Sequence, residues 1–260
     1  MMRILKGKRG LIFGVANERS IAWHIAQQAI AHGAECAFTY LPLEKMEQRV
    51  RRTLAKGGVK DPKLYPCDLA SDDDLDKLFA DMGKSFAPLD FVVHSVAYAD
   101  REYLKPGTFA MTPRHVFSQA LDISAYTLIA IANRSQALMA DSGSILALTY
   151  YGAEKAACGY NVMGVAKSAL ESTVRYLAAE LGEKGIRVNS LSAGPVRTLS
   201  SMAVGGIDSI LKKVAQVSPL RRNIETQEVG KAAVYLLSDL SSGVTGETHH
   251  VDAGYNAIVT

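Results

Sequence analysis

Short apolar runs alternate along the 260-residue chain with longer segments whose apolar residues recur at helical spacing. A parallel sheet covered by helices on both faces requires that alternation, because its strands are buried on both sides and read as short unbroken apolar stretches. Seven runs have the length and content of such strands: 11–13, 36–40, 63–67, 91–94, 145–149, 188–192 and 249–252. Helical segments lie between them. Residues 21–32 form one, and in the long segment 160–182 the residues Val165, Leu170, Val174, Leu177 and Leu181 recur at helical spacing.

Right-handed crossovers turn this order into a Rossmann-like, doubly wound α/β sheet of seven parallel strands with helices on both faces. No internal repeat, low-complexity tract or Pro/Gly-rich linker divides the chain, so residues 1–260 are expected to form a single domain. Segment 199–217 is the one irregular insertion. It begins with the small residues Ser200, Ser201, Ala203, Gly205 and Gly206 and then becomes weakly helical. That suits a flap over a binding site, and it suits a plain surface connection equally well.

Composition narrows the function classes. The 29 Lys and Arg residues against 26 Asp and Glu leave a net charge of only +3, too little for a general nucleic-acid or membrane surface. Cys36, Cys67 and Cys158 match no metal or redox spacing and, being odd in number and sparse, no disulfide framework. The six histidines are scattered, so no metal site and no Ser/His/Asp triad is expected. The N-terminus lacks the apolar segment of a signal peptide, and no stretch approaches a membrane span, so a cytoplasmic protein is expected.

The chemistry-bearing residues cluster after strands. Gly14 ends the first run and Ser20-Ile21 opens the helix that follows, an arrangement that turns backbone amides and a helix N-terminus toward a pyrophosphate. Ser20 reads as a helix cap or a phosphate ligand. The turn departs from GxGxxG, since Ser20 and Ala22 stand where later glycines are usual. Asp68-Leu69 follows the third run, where carboxylate and amide suit an adenine ring, although Asp68 reads equally well as a helix cap. Ser95-Val96 follows the fourth run and the segment from Ala193 through Val196 to Thr198 follows the sixth. Open α/β sheets bind ligands at those carboxyl ends. After the second run stand Tyr40-Leu41-Pro42, with no acidic residue for a ribose hydroxyl and no basic one at the turn for a 2′-phosphate. NADH is thereby favoured over NADPH, with Lys45 one turn later keeping the second open.

Two Tyr/Lys pairs compete as the acid centre: Tyr151 with Lys155, and Tyr160 with Lys167. Lys155 leads into a loop-like stretch. Tyr160 and Lys167, seven residues apart on a helix, should project from one face about two turns apart and reach a common ligand.

The stretch from Tyr150 through Tyr160 to Lys167, with two tyrosines ten apart and then Tyr-x6-Lys, closely resembles the divergent enoyl-acyl-carrier-protein reductases of bacterial fatty-acid synthesis, within the short-chain dehydrogenase/reductase group. The resemblance also covers Gly14 to Ala22, Cys67-Asp68-Leu69, Asp122-Ile-Ser124, Ser192 to Leu199 and the tail through Val251-Asp-Ala-Gly254, nearly the whole chain. It implies hydride transfer from NADH to the β-carbon of a trans-2-enoyl thioester on acyl carrier protein, at the last step of the elongation cycle, in a homotetramer. On that resemblance Tyr160 donates to the developing enolate oxygen, and Lys167 binds the nicotinamide ribose and lowers the phenol pKa. Tyr150 lines the acyl site in place of the usual Ser, a position held here by Ala147. Ala99 lies beside the substrate, Leu41 borders the adenine ribose, Val196 touches the carboxamide and Thr198 approaches the pyrophosphate. Ala97 stands where many members carry Gly, which implies a narrower cleft. An acidic carrier would meet a local basic rim, for which Arg101, Lys105, Lys212, Lys213, Arg221 and Arg222 are candidates. A short-chain reductase of carbonyl substrates and a catalytically silent NAD-binding protein are the rival readings.

Overall fold

The computed structural model describes residues 3–203 and 206–259. Seven parallel strands form one sheet: β1 (Arg9–Phe13), β2 (Glu35–Tyr40), β3 (Lys63–Pro66), β4 (Phe91–His94), β5 (Gly143–Thr149), β6 (Ile186–Ala193) and β7 (Thr248–Val251), in the order β3-β2-β1-β4-β5-β6-β7. This is the Rossmann-like arrangement expected from the sequence pattern. The chain order reverses between β1 and β4, whose ends lie side by side with Phe13 opposite His94, and a crevice opens where crossovers leave to opposite faces.

Helices α1 (Ile21–Ala31), α2 (Glu44–Lys56) and α8 (Thr226–Leu237) cover one face, burying Ile25, Leu54, Val229 and Leu236 against Ile12, Phe38 and Leu191. On the other face α3 (Asp72–Ser85), α5 (Thr127–Ser135) and α6 (Asn161–Leu181) bury Leu75, Phe79, Ile131, Leu170 and Val174 against Leu11, Phe13, Val92 and Ile145. Helices α4 (Arg114–Leu121) and α7 (Ile207–Val217) complete the set. No helix among the described residues is long and apolar enough to cross a membrane.

Several strands begin earlier than hydrophobicity alone suggests, because polar residues there have partners. The Arg9 amide donates to Asp90 at 2.7 Å. The Arg187 guanidinium donates to Ser241 at 2.9 Å and to the Ser238 carbonyl at 3.1 Å. Between α4 and α5 the helix widens into a π turn at Asp122–Tyr126. It turns the fully buried Ser124 hydroxyl toward the loop after β4, accepting from the Tyr98 amide at 3.0 Å. The π turn is a local insertion that pins the crevice wall.

Candidate active site

A cavity of about 600 Å³ opens at the carboxyl edge of the sheet, over the β1/β4 reversal. Gly14 sits at its floor with φ +97°, and a side chain there would place its Cβ 2.0 Å from the Ser95 carbonyl oxygen. Only glycine lets the ends of β1 and β4 approach this closely. Ser20 precedes α1 as expected of a cap, but its hydroxyl accepts from the Ala16 and Asn17 amides at 3.0 Å each and makes no cap bond to the helix. The loop is thereby tightened, and the first α1 amides keep no side-chain partner. That is the arrangement an anion at a helix N-terminus needs.

Gly14, Ser20, Ile21, Ser95, Val96, Ala99, Tyr150, Tyr160, Lys167, Val196 and Thr198 all line this one cavity, as do Ala97 and, from α7, Ile207 and Ile210. Leu41, Asp68 and Leu69 do not line it. They stand farther along the same sheet edge, past β2 and β3. Leu41 is 52% exposed. The Asp68 carboxylate accepts from the Ala70 amide at 3.0 Å, while the cap of α3 is Ser71, which accepts from Asp74. Reading Asp68 as the helix cap is therefore corrected.

Tyr160 and Lys167 both line the cavity, but not as two residues of one regular helix. Tyr160 lies just outside α6, and Asn161, the first helical residue, has a left-handed φ of +47°. Asparagine tolerates this better than most residues, and here its amide donates to the carbonyls of Tyr103 (2.7 Å) and Lys105 (2.8 Å) and to Thr108 (3.0 Å). The bent entry swings the Tyr160 ring against Tyr150, centroids 4.9 Å apart and edge-on at 75°. Gly152 and Gly164 make room: a Cβ on Gly152 would lie 2.5 Å from the Tyr160 ring, and one on Gly164 2.8 Å from the Gly152 carbonyl. Sequence reasoning did not single out Asn161, Gly152 or Gly164, whose signal lies in tertiary packing.

Lys167 is buried at 5% exposure, and its Nζ donates to the Leu148 carbonyl at 2.6 Å. Burial pulls its ammonium down to about 8, against a smaller opposing effect of Glu171. Burial also pushes the Tyr160 phenol well above its ordinary range, with Tyr150 and Glu171 adding to it. This is opposite to the depression expected from Lys167, so Tyr160 stays protonated at neutral pH and is a hydrogen-bond donor. Burial likewise pushes Tyr150 up, to about 12. Behind them His94 is fully buried and its Nε2 meets Thr127 Oγ1 at 2.8 Å. The Thr127 hydroxyl is committed as donor to the Ile123 carbonyl, so Nε2 carries the proton. Burial, then Lys167, drives His94 down to about 3, which leaves it neutral.

The far wall is the segment after β6. The Thr198 hydroxyl accepts from the Ser201 amide at 3.0 Å while Ser201 accepts from the Thr198 amide at 2.8 Å. Helix α7 is better formed than the weakly helical reading allowed, burying Leu211 and Val214. Val204 and Gly205 of segment 199–217 lie outside the described residues.

Comparison with known proteins supplies the remaining evidence. Residues 14–256 match the family described as enoyl-(acyl carrier protein) reductase. The chain is 47% identical over 253 residues to an enoyl-(acyl-carrier-protein) reductase (NADH) of Rickettsia felis, covering 97% of this chain and 96% of that protein. It is 47% identical over 254 residues to the NADPH enzyme of Staphylococcus aureus, covering 98% of each. A crystal structure of the Anaplasma phagocytophilum reductase in complex with NAD superimposes with a TM-score of 0.92 at 46% identity, covering 100% of this chain and 97% of that one. The resemblance carried by Tyr150, Tyr160 and Lys167 therefore extends to the whole chain, which belongs to the enoyl-(acyl-carrier-protein) reductase family.

Proposed function

We propose that this protein reduces the trans-2 double bond of an enoyl thioester on acyl carrier protein, using NADH, at the last step of the fatty-acid elongation cycle. One observation carries the reading: a single cavity joins the pyrophosphate-type turn at Gly14 and Ser20 to the partly buried Tyr160 and the buried Lys167. The glycine floor and the uncapped α1 amides fit a dinucleotide diphosphate. When bound, the dinucleotide supplies the hydride. The side chains of the cavity supply the rest. Tyr160, held protonated by burial, donates to the thioester oxygen as charge develops there, the step that dominates such catalysis. Lys167, still charged at neutral pH, holds the nicotinamide ribose hydroxyls. Tyr150 and Ala99 shape the acyl side, Ser95, Val96 and Val196 the nicotinamide side, and Thr198 the diphosphate. Leu41, Asp68 and Leu69 border the adenosine.

The preference for NADH is supported at the end of β2. The Tyr40 hydroxyl donates to Glu47, and Glu47 pairs with Arg51 at 2.7 Å. The nearby guanidinium is thus already neutralised, and Leu41, Pro42 and Leu43 offer no charge to a 2′-phosphate. The carrier protein would meet Arg101, Lys105, Lys212 and Lys213, all exposed near the cavity mouth and α7. Arg222 is held bidentately by Glu228 at 2.7 Å and drops out of that rim, whereas Arg221, which donates to the Gln216 carbonyl, keeps its charge exposed and stays in it. The protein acts as a single domain with segment 199–217 as the flap. Exposed Phe117, Tyr126, Ile129 and Tyr176 on and between α4, α5 and α6 support self-association, which the family resemblance makes a homotetramer, and a cytoplasmic enzyme is the reading that goes with a carrier-bound substrate and NADH.

The test is absorbance-monitored reduction of crotonyl thioester with NADH and NADPH side by side, with acetoacetyl thioester as the control. Turnover of the enoyl substrate with NADH is expected. Reduction of the ketone alone supports the carbonyl-reductase rival, and tight NADH binding with no oxidation supports the silent one.

A further inference from the structure

Each double bond reduced takes up one hydride and one proton. The hydride forms the bond at the β-carbon, the π pair moves to the thioester oxygen, and a proton must finally bond to the α-carbon. That proton comes from solvent, yet Lys167 is buried, and the cavity that it and Tyr160 line is the one substrate and dinucleotide would fill. Behind Lys167 stands a file of polar groups that the mechanism above does not use.

Glu171, one turn after Lys167 on α6, is buried at 7% exposure, and its Oε1 accepts from Thr149 Oγ1 at 2.7 Å. Lys167 donates to Leu148 and not to this carboxylate, so Glu171 is more than the partner of a closed ion pair. The strand register carries the file outward. Thr149 on β5 stands opposite Ser192 on β6, and Ser192 opposite His250 on β7. Neighbours in register share a face of the sheet, here the face that α6 covers. At the rim, His250 Nε2 meets Glu154 Oε1 at 2.7 Å, with both side chains partly in solvent at 20% and 37% exposure. The Tyr151 ring packs edge-on against His250 at 6.2 Å and against Tyr255 at 5.9 Å, which shields the file from the side.

We infer that Glu171, supported by Thr149 and fed at the surface by the His250–Glu154 pair, is the route by which the proton consumed in each turnover passes from solvent to Lys167. The inference rests on the proposed function. Every handover conserves protons: His250 takes one from solvent, passes it through water to the Glu171 carboxylate, and Glu171 passes it to Lys167 after the ammonium has given its own into the cavity. After one cycle the file is restored, and solvent has lost one proton per double bond.

The surroundings of Glu171 suit a group that exchanges a proton. Burial raises its carboxyl from the ordinary carboxylate range and Glu154 adds to this, while the Thr149 hydrogen bond, His250 and Arg175 oppose it. Lys167 and Tyr160 face it from α6 and its entry. These are the charged groups of α6, β5, β7 and the Tyr151–Glu154 turn that act on it.

The experiment compares wild type with Glu171→Gln, which keeps an acceptor for Thr149, and with His250→Ala, using crotonyl thioester and NADH. Readouts are kcat and KM across neutral and alkaline pH, the solvent deuterium effect on kcat, and NADH affinity by fluorescence. Glu171→Gln is expected to lower kcat about tenfold or more, to enlarge the solvent isotope effect and to leave NADH affinity within about twofold. His250→Ala is expected to lose kcat most at alkaline pH and to regain it as imidazole buffer is added. Glu171→Gln with wild-type kcat and pH profile, a loss confined to NADH affinity, or a His250→Ala deficit that imidazole does not repair would each overturn the relay. Absence of turnover in wild type would instead remove the proposed function.

Discussion

The two ends of the dinucleotide crevice are built by opposite rules. Around the carboxyl ends of β4 and β5 the fold gathers an ammonium, a carboxylate, two phenols and an imidazole from His94, the Tyr150–Tyr160 segment and α6, and desolvation displaces each of their pKa values. Past β2 and β3 the chain shows solvent an exposed Leu41, a local Asp68 turn and a surface Glu47–Arg51 pair. An exposed pair of that kind contributes about 1 kcal/mol or less. The contrast teaches where energy is stored. Displaced pKa values concentrate where buried groups do chemistry, whereas the end past β2 and β3, proposed for the adenosine, offers shape and a few hydrogen bonds.

Substitutions at the buried end should therefore have the larger effects. Tyr160→Phe removes the donor to the thioester oxygen and should lower kcat about a hundredfold with NADH affinity unchanged, as steady-state kinetics and fluorescence titration would show. Equal kcat would erase the difference between the two ends. Lys167 has a signature in stability as well. Its folded value near 8 lies below the ordinary 10.5, so the unfolded chain binds more protons between those values and stability rises with pH across that window. Below pH 8 the full penalty of burying the charge remains, and Lys167→Met should raise the stability of the cofactor-free protein there by about 1–2 kcal/mol, the desolvation relief less the cost of leaving the Leu148 carbonyl unpaired. The same variant should weaken NADH binding at least about tenfold. Denaturation at neutral and alkaline pH checks it, and a destabilised variant would contradict the burial argument.

Gly152→Ala is next in size, since its Cβ meets the Tyr160 ring at 2.5 Å. Displacing the ring should cost about 1–3 kcal/mol in stability and lower kcat, read by thermal melts alongside kinetics. At the adenosine end, Leu41→Arg should improve NADPH use by only about tenfold, one charge-assisted contact with a 2′-phosphate. A change there as large as that of Tyr160→Phe would break the comparison.

How much of this was legible in the sequence follows the same division. The seven strands and their carboxyl-end turns declared themselves through buried apolar runs, and Tyr150, Tyr160 and Lys167 through their spacing. The strand starts at Arg9 and, beside Arg187, at Ile186 did not, because the partners Asp90, Ser238 and Ser241 come from distant parts of the chain. Nor did the left-handed Asn161, which helical periodicity reads through as ordinary helix, or the sign of the Tyr160 shift. A nearby ammonium suggests a depressed phenol, whereas desolvation, Tyr150 and Glu171 all push it up, and only the three-dimensional surroundings reveal that. Glu171 was invisible for the same reason: in sequence it is one polar position on a helix, and the sheet register links it to His250.

Tyr160 and Lys167 should converge on one bound assembly of substrate and dinucleotide. A crystal structure with NAD and a non-reducible enoyl-thioester analogue tests it directly. The Tyr160 hydroxyl is expected within hydrogen-bonding reach of the thioester oxygen, roughly 2.6–3.2 Å, and Lys167 Nζ on the nicotinamide ribose. A thioester oxygen held by other groups, with Tyr160 turned from it and Lys167 bonded only to Leu148, would contradict it.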